Sequence, residues 1–272
     1  MNEPRVYKNS PWLFVIMLII FGMLFAALVF GMGRETWYIL LPFGLVFGLI
    51  FLAAMVSMTS KTTISDDEIS TQNLLGTKTL RWSEINLVSG RGHSIKLHDV
   101  DRGITVAASP QLPGYPEVVE WIGLKRPDLF NPVEYAEMSR SWLQPILYIL
   151  FGLVFIGTGI FASTQESDTY FPFLIVSLMG IGFIGMALLA PQTLSIQGDT
   201  LVIHYFFNQK TLLAGEVASV EMRYTQTRNG KHYFTTLNLT NRKSIRISGF
   251  QPSLPVVHLV LKNWHKMNKR LG

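Results

Sequence analysis

Residues 12–31, 38–58, 144–163 and 170–190 contain no Asp, Glu, Lys, Arg or His. Each run has roughly 20 residues, the length that about 30 Å of hydrocarbon requires of a helix. The spacing predicts four transmembrane helices in two hairpins, 12–58 and 144–190. A signal peptide would explain only the first run, where Arg5 and Lys8 supply a charged start. It leaves the mid-chain run at 144 unexplained, since cleavage there is meaningless.

The two hairpins are related by a constant offset. Adding 132 carries Tyr38 onto Tyr170, Ile64 onto Ile196, Asp67 onto Asp199 and Glu84 onto Glu216. The run Lys78, Thr79, Leu80 falls on Lys210, Thr211, Leu212. Farther on the offset becomes 139, with Val106 on Ile245, Ser109 on Ser248, Pro113 on Pro252 and Pro116 on Pro255. A register that runs from apolar spans into polar sequence marks an internal repeat, and the changed offset marks a lengthened loop or hairpin in the second copy.

The polar segments read as β structure. Short Thr-, Ile- and Val-rich runs predict strands near 61–65, 68–73, 77–82, 85–89, 93–98 and 103–108, divided by Asp66-Asp67, Leu75-Gly76 and other turn residues. Pro113 and Pro116 then open a helix over 117–124. The second copy repeats the plan with strands near 193–197, 200–206, 209–213, 217–227, 232–239 and 244–248 and a helix over 254–268. Asn229-Gly230 is the strongest turn signal, because a two-residue hairpin needs two positive φ values. The extra residues are expected to lengthen that hairpin and carry Arg223, Arg228 and Lys231 outward. The predicted organisation is hairpin 1 at 12–58, polar domain 1 at 59–130, a charged connector at 131–143 that admits a short amphipathic helix, hairpin 2 at 144–190 and polar domain 2 at 191–272.

A Leu-Arg-Trp-Ser-Glu-Ile block at 80–85, a following hairpin and a Pro-led helix, tethered to a transmembrane hairpin, resemble bacterial pleckstrin-homology-like domain membrane proteins. The resemblance covers 59–124 and, more loosely, 191–267, where Leu-Leu-Ala-Gly-Glu-Val at 212–217 lacks the Trp. It implies a membrane α + β protein of two repeats, each a transmembrane hairpin followed by an antiparallel barrel or half-barrel with a C-terminal helix. It also implies binding or assembly, with no catalytic residues to carry over.

Charge separates the two polar domains. Residues 59–143 hold nine basic against eleven acidic residues, a net of −2, whereas 191–272 hold eleven basic against three acidic, a net of +8. Arg5, Lys8, Lys61 and Arg140 flank the spans on one side and only Arg34 lies in the short loops on the other. The positive-inside rule then places both termini and both polar domains in the cytoplasm of a multi-pass inner-membrane protein with four spans. Arg223, Arg228, Lys231, Arg242, Lys243 and Arg246 are the candidate site for anionic headgroups or a protein partner, a plain solvated face being the alternative. Nucleic acid is disfavoured because no aromatic platform or recognition helix accompanies the charge.

Other chemistry finds little support. Zero cysteines exclude disulfides and thiol catalysis. Gly180, Gly182 and Gly185 spell a dinucleotide fingerprint, yet they lie inside an apolar run with no preceding strand. Like Gly44 and Gly48, they read as close-packing positions or as composition alone. His93, His98, His204, His232, His258 and His265 do not form a metal-site spacing, and Asp66-Asp67-Glu68 reads as a turn rather than a cation site. The expectation is a non-enzymatic binding or scaffold protein without metal or cofactor, engaging lipid, a protein partner or its own copies. The alternative is a component of a transport or channel complex, although the spans offer no ionisable group for a pathway.

Overall fold

The computed structural model describes residues 4–9, 11–31, 44–46, 48–52, 55–56, 59–101, 103–165, 170–228 and 230–269. Contacts divide the chain into two compact units, Met1–Leu129 with Thr225–His232, and Phe130–Tyr224 with Tyr233–Gly272.

In the first unit, β1 (Arg5–Lys8), β2 (Lys61–Ile64), β3 (Glu68–Asn73) and β4 (Gly76–Arg81) form an antiparallel sheet in that order. Helix α1 (Pro11–Gly31) leaves from the end of β1. The period-2 pattern buries Thr62, Ile64, Ile69, Thr71 and Leu80 on one face. At the β2–β3 turn the Ser65 hydroxyl meets the Glu68 backbone. At the β3–β4 turn the Asn73 side-chain oxygen accepts the Leu75 N–H at 2.9 Å, and Gly76 takes φ 135°. A 3-10 turn, Trp82–Glu84, ends the sheet, and the Glu84 carboxylate accepts the Arg81 N–H at 3.2 Å.

A second antiparallel sheet follows, of β5 (Leu87–Ser89), β6 (Ile95–His98) and β7 (Thr105–Ala108). Helix α2 (Tyr115–Lys125) buries Tyr115, Val118, Val119 and Ile122. The Tyr115 hydroxyl donates to the His93 carbonyl at 2.6 Å. Arg126 donates to the carbonyls of Trp82 and Ile85, fastening the 3-10 turn to the end of α2.

The second unit has the same sequential order. Strand β8 (Glu137–Ser139) precedes α3 (Leu143–Gln165) and α4 (Tyr170–Leu189). Strands β9 (Thr193–Gln197), β10 (Thr200–His204) and β11 (Gln209–Leu213) complete a four-stranded antiparallel sheet with β8. The 3-10 turn Ala214–Glu216 follows, and the Glu216 carboxylate accepts the Leu213 N–H at 3.0 Å. Strands β12 (Val217–Thr227), β13 (Gly230–Leu239) and β14 (Ser244–Ile247) form a three-stranded sheet, closed by α5 (Leu254–Lys269). Trp264 of α5 is fully buried and donates its indole N–H to the Gly198 carbonyl at 2.9 Å.

Three expectations are corrected. The β structure is not a barrel or half-barrel but four separate sheets, because a 3-10 turn follows β4 and β11 and breaks the ladder. The connector is not helical at its centre: β8 pairs Met138 with Leu194 and buries both side chains. Four membrane spans are not found either. Among the described residues only Leu143–Thr164 is long and apolar enough to cross a membrane, so the multi-pass placement with cytoplasmic termini loses its basis. The other apolar helical stretches found among the described residues are Leu18–Ala27 within α1 and Leu174–Leu189 within α4. Much of the predicted span at 38–58 and the whole loop at 32–37, with Arg34, lie outside the described residues.

Candidate functional site

The β12–β13 hairpin is the main departure of the second unit's order from the first. Its strands run 11 and 10 residues, against 3 and 4 for β5 and β6. The Asn-Gly turn accounts for the position of the tip: Gly230 has φ 114°, and the Thr227 hydroxyl donates to the Gly230 carbonyl at 3.0 Å. Asn229 itself lies outside the described residues.

Arg228 and Lys231 belong to this tip, which is part of the first compact unit. There His232 stands edge-on to His93, with ring centroids 5.9 Å apart. Burial first, and the neighbouring His232 second, pull the His93 imidazole below its ordinary value.

Arg223, Arg242, Lys243 and Arg246 belong to the second unit. Arg223 is not an available cation, since its Nε and Nη2 both donate to Glu221 Oε2, at 2.9 and 2.6 Å. Ser219 and the Asn238 amide donate to the other Glu221 oxygen, each at 2.9 Å. Hydrogen bonds from Arg223 and then from Ser219 hold the Glu221 carboxyl below the usual carboxylate range. Arg246 lies 3.8 Å over the Phe234 ring, a cation–π contact on the same three-stranded sheet. Arg242 takes φ 65° at the β13–β14 turn, where the Asn241 side-chain oxygen accepts the Lys243 N–H at 3.0 Å. Both side chains are exposed. Thus the structure gathers Arg242, Lys243 and Arg246 on β14 and its turn, commits Arg223 to an ion pair, and places Arg228 and Lys231 in the other unit.

The remaining candidates take structural roles. Asp66 pairs with Lys125 at 3.1 Å, and the Asp67 carbonyl receives the Trp82 N–H. The acidic turn therefore anchors α2 and the 3-10 turn. No group of three or more His, Asp or Glu that could hold a metal occurs among the described residues. His98 sits between Ser89 at 2.6 Å and Thr105 at 3.0 Å, cross-strand neighbours on β5 and β7. His265 meets the Val217 carbonyl at 2.7 Å. Of the fingerprint glycines only Gly180 makes a close approach, to Gly152 and Ile156, and Gly182 and Gly185 face open space.

Large apolar side chains are left on the outside, expected from the sequence in the run at 144–163 but missed at the hairpin tips. Along Leu143–Thr164 they include Leu153, Val154, Ile160 and Phe161, the last 67% exposed. Two hairpin tips, Leu74-Leu75 and Phe206-Phe207, show the same exposure. The signal was present, since apolar pairs occupy the turns before Gly76 and Asn208 where polar residues are usual. No family model matches the chain, and no curated protein matches it.

Proposed function

We propose that the chain is a non-enzymatic binding and assembly protein, anchored in a membrane through Leu143–Thr164 and engaging anionic lipid headgroups or an acidic protein partner. One observation carries this reading: only 11% of the apolar window in that helix is buried within the protein. A core helix of comparable hydropathy would be covered. Leaving a Leu, Ile or Phe side chain in water forfeits about 1.5–3 kcal/mol each, so an uncovered apolar helix of this length calls for lipid.

Two features support binding rather than catalysis. The polar groups nearest to a catalytic arrangement, Ser89, His98 and Thr105, satisfy one another across a sheet. The basic residues Arg242, Lys243 and Arg246 instead cluster on the exposed face of a half-buried strand and its turn. We also infer that the units arose by duplication. The common strand order supports this, as does the identical capping role of Glu84 and Glu216, which the offset of 132 aligns. The resemblance to bacterial pleckstrin-homology-like domain proteins is kept as a proposal about binding alone.

The test is mass spectrometry of lipids and proteins that copurify with the full chain in neutral detergent. The reading expects retained anionic lipid or a retained acidic partner, in reduced amount when Arg228, Arg242 and Lys243 are replaced by Ser. Identical copurifying material in wild type and variant would sink it.

A further inference from the structure

Strand register places Lys8 and Lys61 at one end of the first unit's sheet, whereas Arg5 and Arg81 lie with the acidic turn at the other. Lys8 pairs with Lys61, and Lys61 with Gln72, at the end from which α1 leaves and at which β2 begins. Asp66, Asp67 and Glu68 lie at the opposite end, past the Ile64–Ile69 pair. The lysine end therefore adjoins the apolar helical residues, of which Met55 accepts both the N–H and the hydroxyl of Thr59.

A cavity of about 440 Å³ opens at this same end. Thr71 and Ala107 both line it, and the Thr71 hydroxyl donates to the Ala107 carbonyl at 3.4 Å and so links the two sheets. The cross-strand partner of Thr71 is Lys78 and that of Ala107 is Lys96, so one lysine reaches the cavity from each sheet. Among the described residues no carboxylate lines it, although the surrounding domain carries an excess of acids. The rim holds Val56, from the apolar helical segment, and Leu75, which is 81% exposed at the β3–β4 tip.

The second unit, taken by itself, carries the same tip at the same end. Ser139 pairs with Thr193 and Thr193 with His204, so Phe206 and Phe207 lie at the end of the sheet where the chain enters α3, the candidate span. Phe207 is 75% exposed. An apolar pair at the tip beside a membrane helix is placed to enter the interfacial layer, where large side chains leave water without reaching the hydrocarbon centre.

We propose that the Lys78–Lys96 cavity takes the phosphate of an anionic phospholipid, with Leu74 and Leu75 inserted into the interface beside it. Two cations and several hydroxyls without an acid match a phosphate, and the apolar rim matches the start of the acyl chains. The site uses none of Arg223, Arg242, Lys243 and Arg246, and it rests on the membrane-anchored reading above.

The test uses the full chain in neutral detergent, titrated with phosphatidylglycerol, phosphatidylcholine or inorganic phosphate and read by native mass spectrometry. Phosphatidylglycerol is expected to be retained over phosphatidylcholine, and the K78S/K96S pair should weaken that retention roughly ten- to thirtyfold. K78R/K96R should retain it, L75S should weaken it, and millimolar phosphate should not displace it. Unchanged retention in K78S/K96S overturns the inference, as does loss confined to the R228S/R242S/K243S variant. Phosphate binding that matches the lipid's and ignores L75S replaces the lipid with a free anion. Membrane fractionation of the same variants separates the two levels: a chain that leaves the membrane at alkaline pH contradicts the anchored reading itself, whereas a chain that stays there with lysine-independent lipid contradicts only the cavity's role.

Discussion

Gly152 of α3 and Gly180 of α4 cross with their backbones in contact. A Cβ built on Gly152 would stand 2.7 Å from the Gly180 carbonyl oxygen, and one built on Gly180 would stand 2.6 Å from the Gly152 carbonyl oxygen. Neither distance leaves room for a methyl group, so any side chain here drives the helices apart. In lipid, where apolar surfaces gain little from meeting each other, such close packing is a main source of helix association.

Gly152→Ala and Gly180→Ala should therefore each destabilise the helix pair by about 1–3 kcal/mol. Gly182→Ala and Gly157→Ala, which would meet nothing within 4 Å, serve as controls and should show no loss. Thermal unfolding of the full chain in detergent, followed by circular dichroism, reads the difference. Equal effects at all four positions would mean that composition, not the crossing, explains the glycines.

Trp264 occupies in the second unit the role that Trp82 plays in the first. Trp82 donates its indole N–H to the Ser65 carbonyl at 3.1 Å, whereas the aligned position holds Ala214 and the Gly198 carbonyl is reached by Trp264 from α5. Trp264→Ala should cost about 3–5 kcal/mol, and Trp264→Phe roughly 1 kcal/mol for the lost hydrogen bond. Chemical denaturation monitored by tryptophan fluorescence tests this. A Trp264→Ala variant as stable as wild type would show that the helix does not close the core.

His93 is held below its ordinary value of 6.5 mainly by burial, so folding favours its neutral form. Its stabilising contribution is complete above the unfolded value and is lost as pH falls through the folded one. The first unit should lose stability as pH falls below about 6.5, and His232→Ala should raise the His93 midpoint only partway, since burial remains. Proton NMR of the imidazole resonances measures both midpoints. A His93 midpoint above 6.5 would contradict the burial.

Glu221 neutralises Arg223 on the outer part of β12. Glu221→Gln removes the acceptor charge and should strengthen retention of anionic lipid by about fivefold, the gain expected of one extra cation near an anionic surface. The same native mass spectrometry reads it, and no change would mean that this face does not meet the ligand.

Much of the strand order was legible in the sequence because Thr-, Ile- and Val-rich runs alternate with strong turns, and the observed β2 to β7 and β9 to β14 fall within a few residues of expectation. β1 and β8 were not. Arg-Val-Tyr-Lys and Glu-Met-Ser are short and charged, and both form only because a neighbouring strand offers an open edge. The offset of 132 could have found them, since it places Arg5 on Glu137 and Lys8 on Arg140. The barrel expectation failed because no local signal distinguishes a strand that continues a sheet from one that starts another after a 3-10 turn. Apolar length alone also overcounted the spans. For the site, composition located the basic excess of residues 191–272 but could not show that Glu221 takes Arg223, or that the β12–β13 tip belongs to the first unit.

The membrane anchor is the claim on which the rest depends, and alkaline extraction of membranes from cells making the full chain tests it directly. With Leu143–Thr164 in lipid, the protein stays in the pellet at about pH 11, and a Val154→Arg substitution, costing about 2.5–3.5 kcal/mol at mid-helix, increases its release. Recovery of the wild-type chain in the supernatant, with Val154→Arg behaving identically, would contradict the account.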